Sequence, residues 1–275
     1  MESLSNIQKK VLDNTDAHQR TLISLFPIRH LHIPTPEQKY DLRLYLAQTP
    51  IGQGCSYTET KTFDYNLLRD LLGQDTEKIL KDEKIECAIK ISILDSMYGS
   101  LFPISQKDII SESFDGSHSQ KDDWRTSIVM HEVEQLIGKS NASHKLKVLN
   151  IGVVASFLIA LINAGYDVTG SDFNNSITGG ELTGIRIENG EKSPYLIKDV
   201  DIVIATGMTI ATETLDAIIQ ECRKRCVKLI VFAETGHSFA SYYLNEGVDV
   251  FLSEHFPFYS FMGPSKIDIC RKKNN

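Results

Sequence analysis

The segment 147–174 constrains the fold more than any other, because it reads as strand, turn, helix and strand in that order. An apolar run at 148–151 ends at a turn glycine, Gly152, and apolar residues at helical spacing follow it. A second β-rich run, 166–170, leads to an acidic residue, Asp172. Such a unit predicts a parallel sheet in which the first loop and the following helix face a ligand.

The same alternation continues through the C-terminal half of the chain. Buried strands are predicted at 199–207, 227–236 and 248–259, and a helix is predicted to begin near Thr209. Strands that alternate with helices indicate an α/β fold, here a Rossmann-like, mostly parallel, doubly wound sheet with a smaller N-terminal α+β domain. The predicted domains are an N-terminal cap domain and a Rossmann-like nucleoside-binding domain, at 1–140 and 145–275.

The N-terminal 140 residues have a less regular pattern, in which prolines, glycines and polar runs separate short periodic stretches. Alternation of apolar and polar residues indicates strands there, and apolar residues near a period of 3.6 indicate helices. The predicted elements are a helix (1–25), an irregular proline-rich stretch (26–38), an antiparallel hairpin (40–46 and 54–62), two helices (65–72 and 75–82), a flexible polar loop (105–126) and a helix (127–137).

The charge balance excludes several classes of partner. The chain has 36 acidic and 29 basic residues and no basic face that would neutralise several phosphates, so we expect no nucleic-acid partner. No apolar run reaches the ~20 residues that span a bilayer, and the first residues contain no apolar leader, so we expect no membrane partner and a cytoplasmic location. The expected partner is a small-molecule substrate, with a homodimer as an open alternative.

Cysteines and histidines give no predicted metal site. The five cysteines are scattered and contain no CxxC pair, so reduced thiols are expected rather than a disulfide framework. Cys222 and Cys226 stand four apart, and His30 and His32 alternate, but neither pair has further ligands nearby in the sequence. The histidines for which metal binding stays open are His30, His32, His237 and His255.

Ligands of a doubly wound sheet bind beyond the carboxyl ends of its strands. An ionised carboxylate at Asp172 accepts hydrogen bonds from both hydroxyls of a ribose, with a solvated acid at a strand end as the alternative. The loop has one glycine, Gly152, where a dinucleotide motif needs three, which disfavours NAD. Aromatic rings near the C-terminus suit a cationic ligand, with burial in the core as the alternative. The predicted cofactor-binding residues are Asn150, Gly152, Ser171, Asp172, Phe173, Thr206, Gly207, Met208, Glu234, Phe256 and Tyr259.

A second group, in the sequence DSMYGSLFP at 95–103, is predicted to be catalytic. Asp95, Ser96 and Tyr98 combine an acid and two hydroxyls at the end of an apolar segment, where they would orient a reacting amine or carboxylate. The alternative is the C-terminal end of a helix with Gly99 as its cap. No nucleophile elbow, Walker loop or HExxH motif occurs, so covalent catalysis and metal-assisted hydrolysis have no signal in the sequence.

Two family resemblances bear on the cofactor and the architecture. The segment LNIGVVASFLIALINAGYDVTGSDF, at 149–173, resembles the first motif of Rossmann-like S-adenosylmethionine (SAM) enzymes, which implies SAM as the cofactor. The hairpin ending in GCSYT at 54–58, the helix beginning at Cys87 and the segment ATGMTIATETL at 205–215 resemble the proteins described as putative heavy-metal chelation proteins. That resemblance implies an enolase-N-like domain followed by a Rossmann-like domain.

The SAM-like motif, the extra N-terminal portion and the aromatic-rich tail are also similar to SAM-dependent azetidine-2-carboxylate synthases. This similarity implies that the amino group of SAM attacks its own Cγ and that methylthioadenosine is released. The roles it implies are ribose binding by Asp172, admission of the nucleoside by Gly152 and Gly207, contact with the sulfonium by Phe256, Phe258 or Tyr259, and orientation of the amine by Asp95, Ser96 or Tyr98.

Two other functions remain open from the sequence. A SAM-dependent methyltransferase would use the same cofactor with a small-molecule acceptor. A non-enzymatic protein would instead bind a metal chelate or a metabolite, with the histidines, Glu234 and Glu254 in contact with the metal complex.

Overall fold

The computed structural model describes residues 2–35, 38–140 and 145–273, and the side chains of all of these except 32–35 and 38–40. The possible metal pair of His30 and His32, which the sequence left open, involves the side chain of His32 and so lies outside the described residues. Contacts divide the chain into two compact units. The N-terminal unit comprises Met1–Ser105 with Glu234–Tyr242, and the Rossmann-like unit comprises Gln106–Ala233 with Tyr243–Asn275. The sequence placed a boundary near 140, whereas the contacts group 106–140 with the Rossmann-like unit.

Among the described residues, the first part of the chain contains four helices and a three-stranded antiparallel sheet whose strands are adjacent in chain order. The predicted hairpin is confirmed, and its register pairs Leu46 with Cys55. Chain order gives α1 (Glu2–Asp13), β1 (Ser24–Thr35), β2 (Gln38–Thr49), β3 (Gly52–Thr58), α2 (Tyr65–Leu71), α3 (Thr76–Lys81) and α4 (Cys87–Leu101).

Two glycines let helix α4 pack directly on strand β3. A Cβ atom built on Gly54 would lie 2.1 Å from the backbone nitrogen of Ser96, and one built on Gly52 would lie 2.3 Å from the carbonyl oxygen of the same residue. Real Cβ atoms do not approach backbone so closely, so only glycine fits at either position. The segment GQGC, 52–55, therefore fixes how near the helix and the strand lie.

Two predictions for the first 40 residues are wrong. The helix predicted over 1–25 ends at Asp13, and the proline-rich stretch predicted to be irregular forms most of strand β1. Strand β1 pairs with β2 only, among the described residues, and an edge strand tolerates proline because one side of its backbone needs no partner. Pro27 accordingly lies within β1, opposite Tyr45 of β2.

The polar loop predicted at 105–126 contains a strand, β4 (Ile109–Phe114), and the start of helix α5 (His118–Ile137). A capping box begins the helix: Gln120 N donates to Ser117 Oγ, and Ser117 N donates to Gln120 Oε1 at 2.9 Å. The S-x-x-Q signature of this box was present in the sequence, but the surrounding serines and Gly116 obscured it. The predicted flexible segment is thus regular secondary structure.

The Rossmann-like unit is built on nine strands of the described residues, in the order β4–β12–β11–β10–β9–β5–β6–β8–β7. The strands from β11 to β8 are parallel, and β4, β12 and β7 are antiparallel to their neighbours. The remaining elements are β5 (Lys147–Ile151), α6 (Ala155–Asn163), β6 (Asp167–Asp172), β7 (Glu181–Leu182), β8 (Ile185–Asn189), α7 (Ser193–Leu196), β9 (Ile202–Thr206), α8 (Met208–Ala211), α9 (Leu215–Arg225), β10 (Lys228–Ala233), α10 (Ala240–Glu246), β11 (Val250–His255) and β12 (Ser265–Arg271).

This sheet confirms the predicted α/β fold class. Its core is apolar on the face that α5 and α6 cover, where Val129, Phe157 and Ile204 are fully buried. The chain reverses its direction of winding between β5 and β9, which are neighbours, and the carboxyl ends of these strands form the topological switch point. Within the described ranges, no helix combines the length and the apolarity that crossing a bilayer requires.

Candidate functional site

At the switch point of the Rossmann-like unit, the loop after β5 lies very close to the end of β9. Gly152 has a φ of +72°, and a Cβ atom built on it would lie 2.1 Å from Thr206 Oγ1. This glycine therefore allows the loop after β5 to touch the end of β9. The Thr206 hydroxyl is buried and makes no hydrogen bond within the described part of the chain. Gly207 follows, with its N–H donated to the carbonyl of Phe232 at 2.8 Å.

Asp172 organises the loop beside it. Its Oδ2 accepts from Val153 N at 2.8 Å, and its Oδ1 accepts from Asn174 N at 2.8 Å. Both carboxylate oxygens are therefore used by nearby backbone, although each keeps a lone pair for a further donor. Ribose binding by Asp172 stays a prediction, and a structural role for this carboxylate is already evident.

Several other residues predicted to bind the cofactor have structural partners. Asn150 is buried, donating Nδ2 to the carbonyl of Ile204 at 3.1 Å and accepting from Val154 N at 3.0 Å. Ser171 is buried with its hydroxyl 2.8 Å from that of Ser193. These contacts use the polar atoms of Asn150 and Ser171 within the fold. Phe173 is exposed, and Met208 begins helix α8 half-buried.

The aromatic residues predicted to face a sulfonium already have partners of their own. The guanidinium of Arg125 lies 3.5 Å from the ring centroid of Tyr259, so one face of this ring is covered by a cation of the chain itself. Arg125 is buried and donates Nε to Asp122 at 2.9 Å. Phe258 is fully buried against Phe256, with ring centroids 5.5 Å apart. Phe258 is thus a core residue of the Rossmann-like unit, whereas Phe256 and Tyr259 are half-buried.

The predicted catalytic group, on helix α4 of the N-terminal unit, is buried. Ser96 donates its hydroxyl to the carbonyl of Ile93 at 2.7 Å, as helical serines commonly do. Tyr98 packs edge-on against Phe239 at 5.5 Å, and burial raises the pKa of its phenol while the hydrogen bond with Ser241 opposes that rise. A raised pKa disfavours this phenol as a base near neutral pH. Ser96 and Tyr98 therefore have structural roles.

Asp95 differs from these two neighbours because its carboxylate connects segments that are far apart in the sequence. Oδ2 accepts from Cys55 N at 2.8 Å, and Oδ1 accepts from Ser238 N at 2.9 Å. Oδ2 also lies 2.9 Å from His237 Nδ1. The carboxylate is completely buried, so these contacts replace its hydration.

Cys55, Asp95 and His237 together form a group of three metal-ligand side chains. One donor atom from each lies within 4.8 Å of the others. Among the described residues, no other group of three or more histidine, cysteine, aspartate or glutamate side chains is as close. Cys55 is 1% exposed and donates its thiol to the carbonyl of Glu234 at 3.0 Å. The side chain of His237 is 13% exposed, which makes it the most accessible of the three.

The turn that carries His237 is fixed by backbone contacts within the N-terminal unit. Gly236 adopts a left-handed conformation with a φ of +64°, and its N–H donates to the carbonyl of Cys55 at 3.2 Å. Tyr57 N donates to Thr235 Oγ1 at 3.0 Å. A Cβ atom built on Gly99 would lie 3.0 Å from Ser238 Cβ, so helix α4 approaches this turn closely. The three donor groups are therefore held on preformed structure.

Sequence reasoning missed this group because its members come from three distant segments. Cys55 lies in β3, Asp95 in α4 and His237 in a turn after β10, and no local spacing links them. The sequence left metal binding by His237 open, gave Asp95 a different role and treated Cys55 as a reduced thiol. The glycines at 52 and 54 were the available signal, since glycine in a strand marks a close backbone approach.

The other candidate metal residues of the sequence do not join such a group. Burial raises the pKa of the Cys222 thiol to about 12, which keeps it protonated, and Cys226 is exposed at the end of α9. His255 Nε2 lies 2.7 Å from Asp268 Oδ2, a carboxylate that also accepts from Ser111 Oγ. These are ordinary protein contacts of the Rossmann-like unit.

The chain is similar to one protein family in sequence and to two solved structures in fold. Residues 126–232 match the model of the family DUF364, described as "Putative heavy-metal chelation". The match spans less than half of the chain and includes none of Cys55, Asp95 and His237. No curated protein matches this chain. The resemblance to azetidine-2-carboxylate synthases stays a prediction.

Two solved structures, both of proteins with unknown function from the DUF364 family, are similar to this one. The protein from Desulfitobacterium hafniense DCB-2 is 12% identical with a TM-score of 0.60, over 98% of this chain and 99% of that chain. The protein from Pyrococcus horikoshii is 13% identical with a TM-score of 0.51, over 92% and 87%. At such identities the likeness establishes the fold alone. The chain thus shares its fold with these two proteins and resembles the DUF364 family over residues 126–232, as the sequence predicted.

Proposed function

We propose that this protein binds a transition-metal ion of the zinc class through Cys55, Asp95 and His237. The observation that carries the proposal is the convergence of a thiol, a carboxylate and an imidazole within 4.8 Å at a buried position. Thiolate, imidazole and carboxylate are the three side-chain ligands that zinc sites use. This mixture disfavours magnesium and calcium, which prefer oxygen ligands alone.

The accessibility of the site supports a metal ion over a covalent substrate. A thiol, an imidazole and a carboxylate also form the catalytic group of cysteine hydrolases. In such enzymes the sulfur must reach a substrate carbonyl, and Cys55 is buried between its neighbours. A metal ion is small enough to reach a buried sulfur beside a partly exposed imidazole. Metal binding is therefore the better supported of the two functions.

Asp95 contributes charge and orientation to this proposal. Its carboxylate and the Cys55 thiolate would offset the charge of a bound cation, which is essential at a buried position. The hydrogen bonds from Cys55 N and Ser238 N hold the carboxylate in place, as the outer partners of metal ligands do. When bound, the metal would supply Lewis acidity at this position.

Metal titration tests the proposal directly. We expect the chelator-treated protein to bind one zinc ion in competition with a coloured indicator, and Cys55→Ser and His237→Ala each to weaken binding by at least about tenfold to a hundredfold. Cys226→Ser is the matched control, because it removes an exposed thiol outside the group. Wild-type affinity in the Cys55→Ser protein would refute the proposal.

SAM binding at the switch point is a second candidate function. The buried Thr206 hydroxyl supports it, since this polar group has no hydrogen-bond partner in the described ranges and lies where doubly wound sheets bind ligands. In this proposal Asp172 binds the ribose, and SAM is either cyclised to azetidine-2-carboxylate with release of methylthioadenosine or used to methylate a small molecule.

Calorimetry with S-adenosylhomocysteine tests this second candidate. We expect the wild-type protein to bind it and Asp172→Asn to bind it more weakly, because an amide replaces one of the two acceptor oxygens. No binding by the wild type would exclude the cofactor. Incubation with SAM alone then distinguishes cyclisation, which yields methylthioadenosine without an acceptor, from methyl transfer.

A further inference from the structure

The metal site proposed above has three donor side chains, one fewer than a closed structural zinc site. Zinc sites with three protein ligands keep a fourth position for an outside ligand, whereas structural sites are closed by four. In the part of the chain that the structure describes, no fourth histidine, cysteine, aspartate or glutamate donor joins Cys55, Asp95 and His237 within 4.8 Å. The count of donors thus fits an open site rather than a structural one.

The charge of the group limits which outside donor fits. A thiolate and a carboxylate carry two negative charges, and the imidazole is neutral, so a divalent ion makes the whole site neutral. Cys55 and Asp95 are buried, and a net charge is costly at a buried position. An anionic outside ligand would leave a net negative charge at this buried position.

Access to the group is through His237. Its side chain is 13% exposed while that of Asp95 is 0% exposed, so a molecule from solvent meets the imidazole first. Only a small donor, or the narrow end of a larger one, fits beside a side chain so little exposed. Ions of the zinc class prefer imidazole nitrogen to neutral oxygen donors, and a planar nitrogen donor is narrower than a bulky chelator.

From these three observations we infer that the site binds a divalent metal ion together with one neutral nitrogen donor supplied by a small molecule, rather than together with an anion. This inference rests on the proposed metal binding. The ligand class is therefore a small molecule that coordinates the metal ion through an imidazole-type nitrogen. In this form the bound metal chelate consists of the divalent ion and that molecule.

Cobalt(II) substitution separates this inference from the proposed function. A near-ultraviolet thiolate-to-cobalt absorption band that Cys55→Ser removes and Cys226→Ser keeps would report the site itself. Imidazole and azide are then titrated into the cobalt-loaded protein while the visible ligand-field bands are recorded. We expect imidazole to shift these bands with a Kd at least about tenfold below that of azide, because azide brings a net charge into a buried site.

The possible outcomes separate the proposed metal binding from the inferred nitrogen donor. If azide binds as tightly as imidazole or more tightly, the inference is overturned and the metal site stands. If neither shifts the bands, the chain closes the site with its own fourth donor, and the inference is likewise overturned. If no thiolate band forms, the proposed function fails and the inference fails with it.

The Asp95→Asn protein supplies a second test, in which the charge argument predicts tighter binding of azide. Removing one negative charge leaves the cobalt site with a net positive charge, so azide should now bind more tightly than it does to the wild-type protein. Unchanged azide binding in a folded Asp95→Asn protein would count against the charge argument. If this variant does not fold, the comparison of imidazole with azide in the wild-type protein still decides the inference.

Discussion

Two aspartates, one in each unit, show how differently a carboxylate can be used. Asp172 of the Rossmann-like unit accepts from Val153 and Asn174, which are 19 and 2 residues away in the sequence. Asp95 of the N-terminal unit accepts from Cys55 and Ser238, which are 40 and 143 residues away. The first carboxylate joins its own loop to the loop after the neighbouring strand β5, and the second connects three distant segments.

This difference affects how each region can be understood from the sequence. A carboxylate at the end of a strand is easy to recognise, and easy to assign to a ligand, because the surrounding pattern is local. A carboxylate that joins distant segments gives no local pattern. In this protein Asp172 makes contacts within the fold, and Asp95, which the sequence assigned to orient an amine, belongs to the convergent donor group.

Replacing Asp95 by alanine should have the largest effect. It leaves the buried N–H of Cys55 and the part-buried N–H of Ser238 without their acceptor, and we expect about 2–4 kcal/mol less stability because an unsatisfied buried group costs about 1–3 kcal/mol. Urea denaturation measures the change. Ser96→Ala, one residue further along the same helix, is the control, and an equal loss in both variants would contradict the connecting role of Asp95.

Replacing Gly54 by alanine should have the next largest effect. Its Cβ atom would lie 2.1 Å from the backbone nitrogen of Ser96, and overpacking of this kind costs about 1–3 kcal/mol. Gly180→Ala is the matched control, because the nearest atom to its Cβ is 3.4 Å away, and we expect a change within about 0.5 kcal/mol. The unfolding temperatures of the two variants measure these effects, since Gly54 lies in the N-terminal unit and Gly180 in the Rossmann-like unit. Equal stability would show that α4 moves away from β3 at little cost.

A third carboxylate, that of Asp268 in the Rossmann-like unit, makes the stability of the protein depend on pH. Burial alone would raise its pKa, but hydrogen bonds from His255 and Ser111 outweigh this and hold the pKa below its ordinary value. The stabilisation is therefore present above the unfolded pKa of about 4 and is lost as the pH falls further.

Between pH 6 and pH 3, the free energy of unfolding should fall in both proteins. We expect the fall to be about 1–2 kcal/mol smaller in Asp268→Asn than in the wild type. Urea denaturation at the two pH values measures this difference. Parallel pH dependence of the two proteins would show that Asp268 titrates normally in the folded state.

Replacing Asp172 by asparagine should have the smallest effect on stability. It removes one of two backbone contacts within a half-buried loop, which corresponds to about 1 kcal/mol. Asp199→Asn is the control, since the side chain of Asp199 is exposed at the surface. A loss of several kcal/mol would mean that Asp172 has the same structural weight as Asp95, and the contrast between the two units would disappear.

The sequence predicted the parallel part of the large sheet well because its signals are local. Buried runs such as 199–207 and 227–236 contain strands β9 and β10, and the turn at Gly152 lies where the pattern placed it. Strand β12 was missed although Ile267 and Ile269 alternate with polar residues, because the run is short and its partners β11 and β4 are far apart in the sequence. Pairing of distant strands leaves little trace in a local pattern.

The candidate site was less predictable than the fold. Asp95 was selected for its neighbours Ser96 and Tyr98, which pack as core residues, and its actual partners come from β3 and from the turn at 236–238. Each of Cys55 and His237 was an isolated residue in the sequence. Only the folded backbone, with the close approaches at Gly54 and Gly99, brings them near Asp95.

The N-terminal unit includes Glu234–Tyr242, so its chain is discontinuous. A ribosome must therefore complete most of the polypeptide before His237 becomes available to Cys55 and Asp95. We expect a recombinant fragment ending at Ser105 to lack cobalt binding even if it folds, and cobalt spectroscopy on that fragment would check this. Any attempt to transplant the donor group into another scaffold would have to carry two separate pieces of chain.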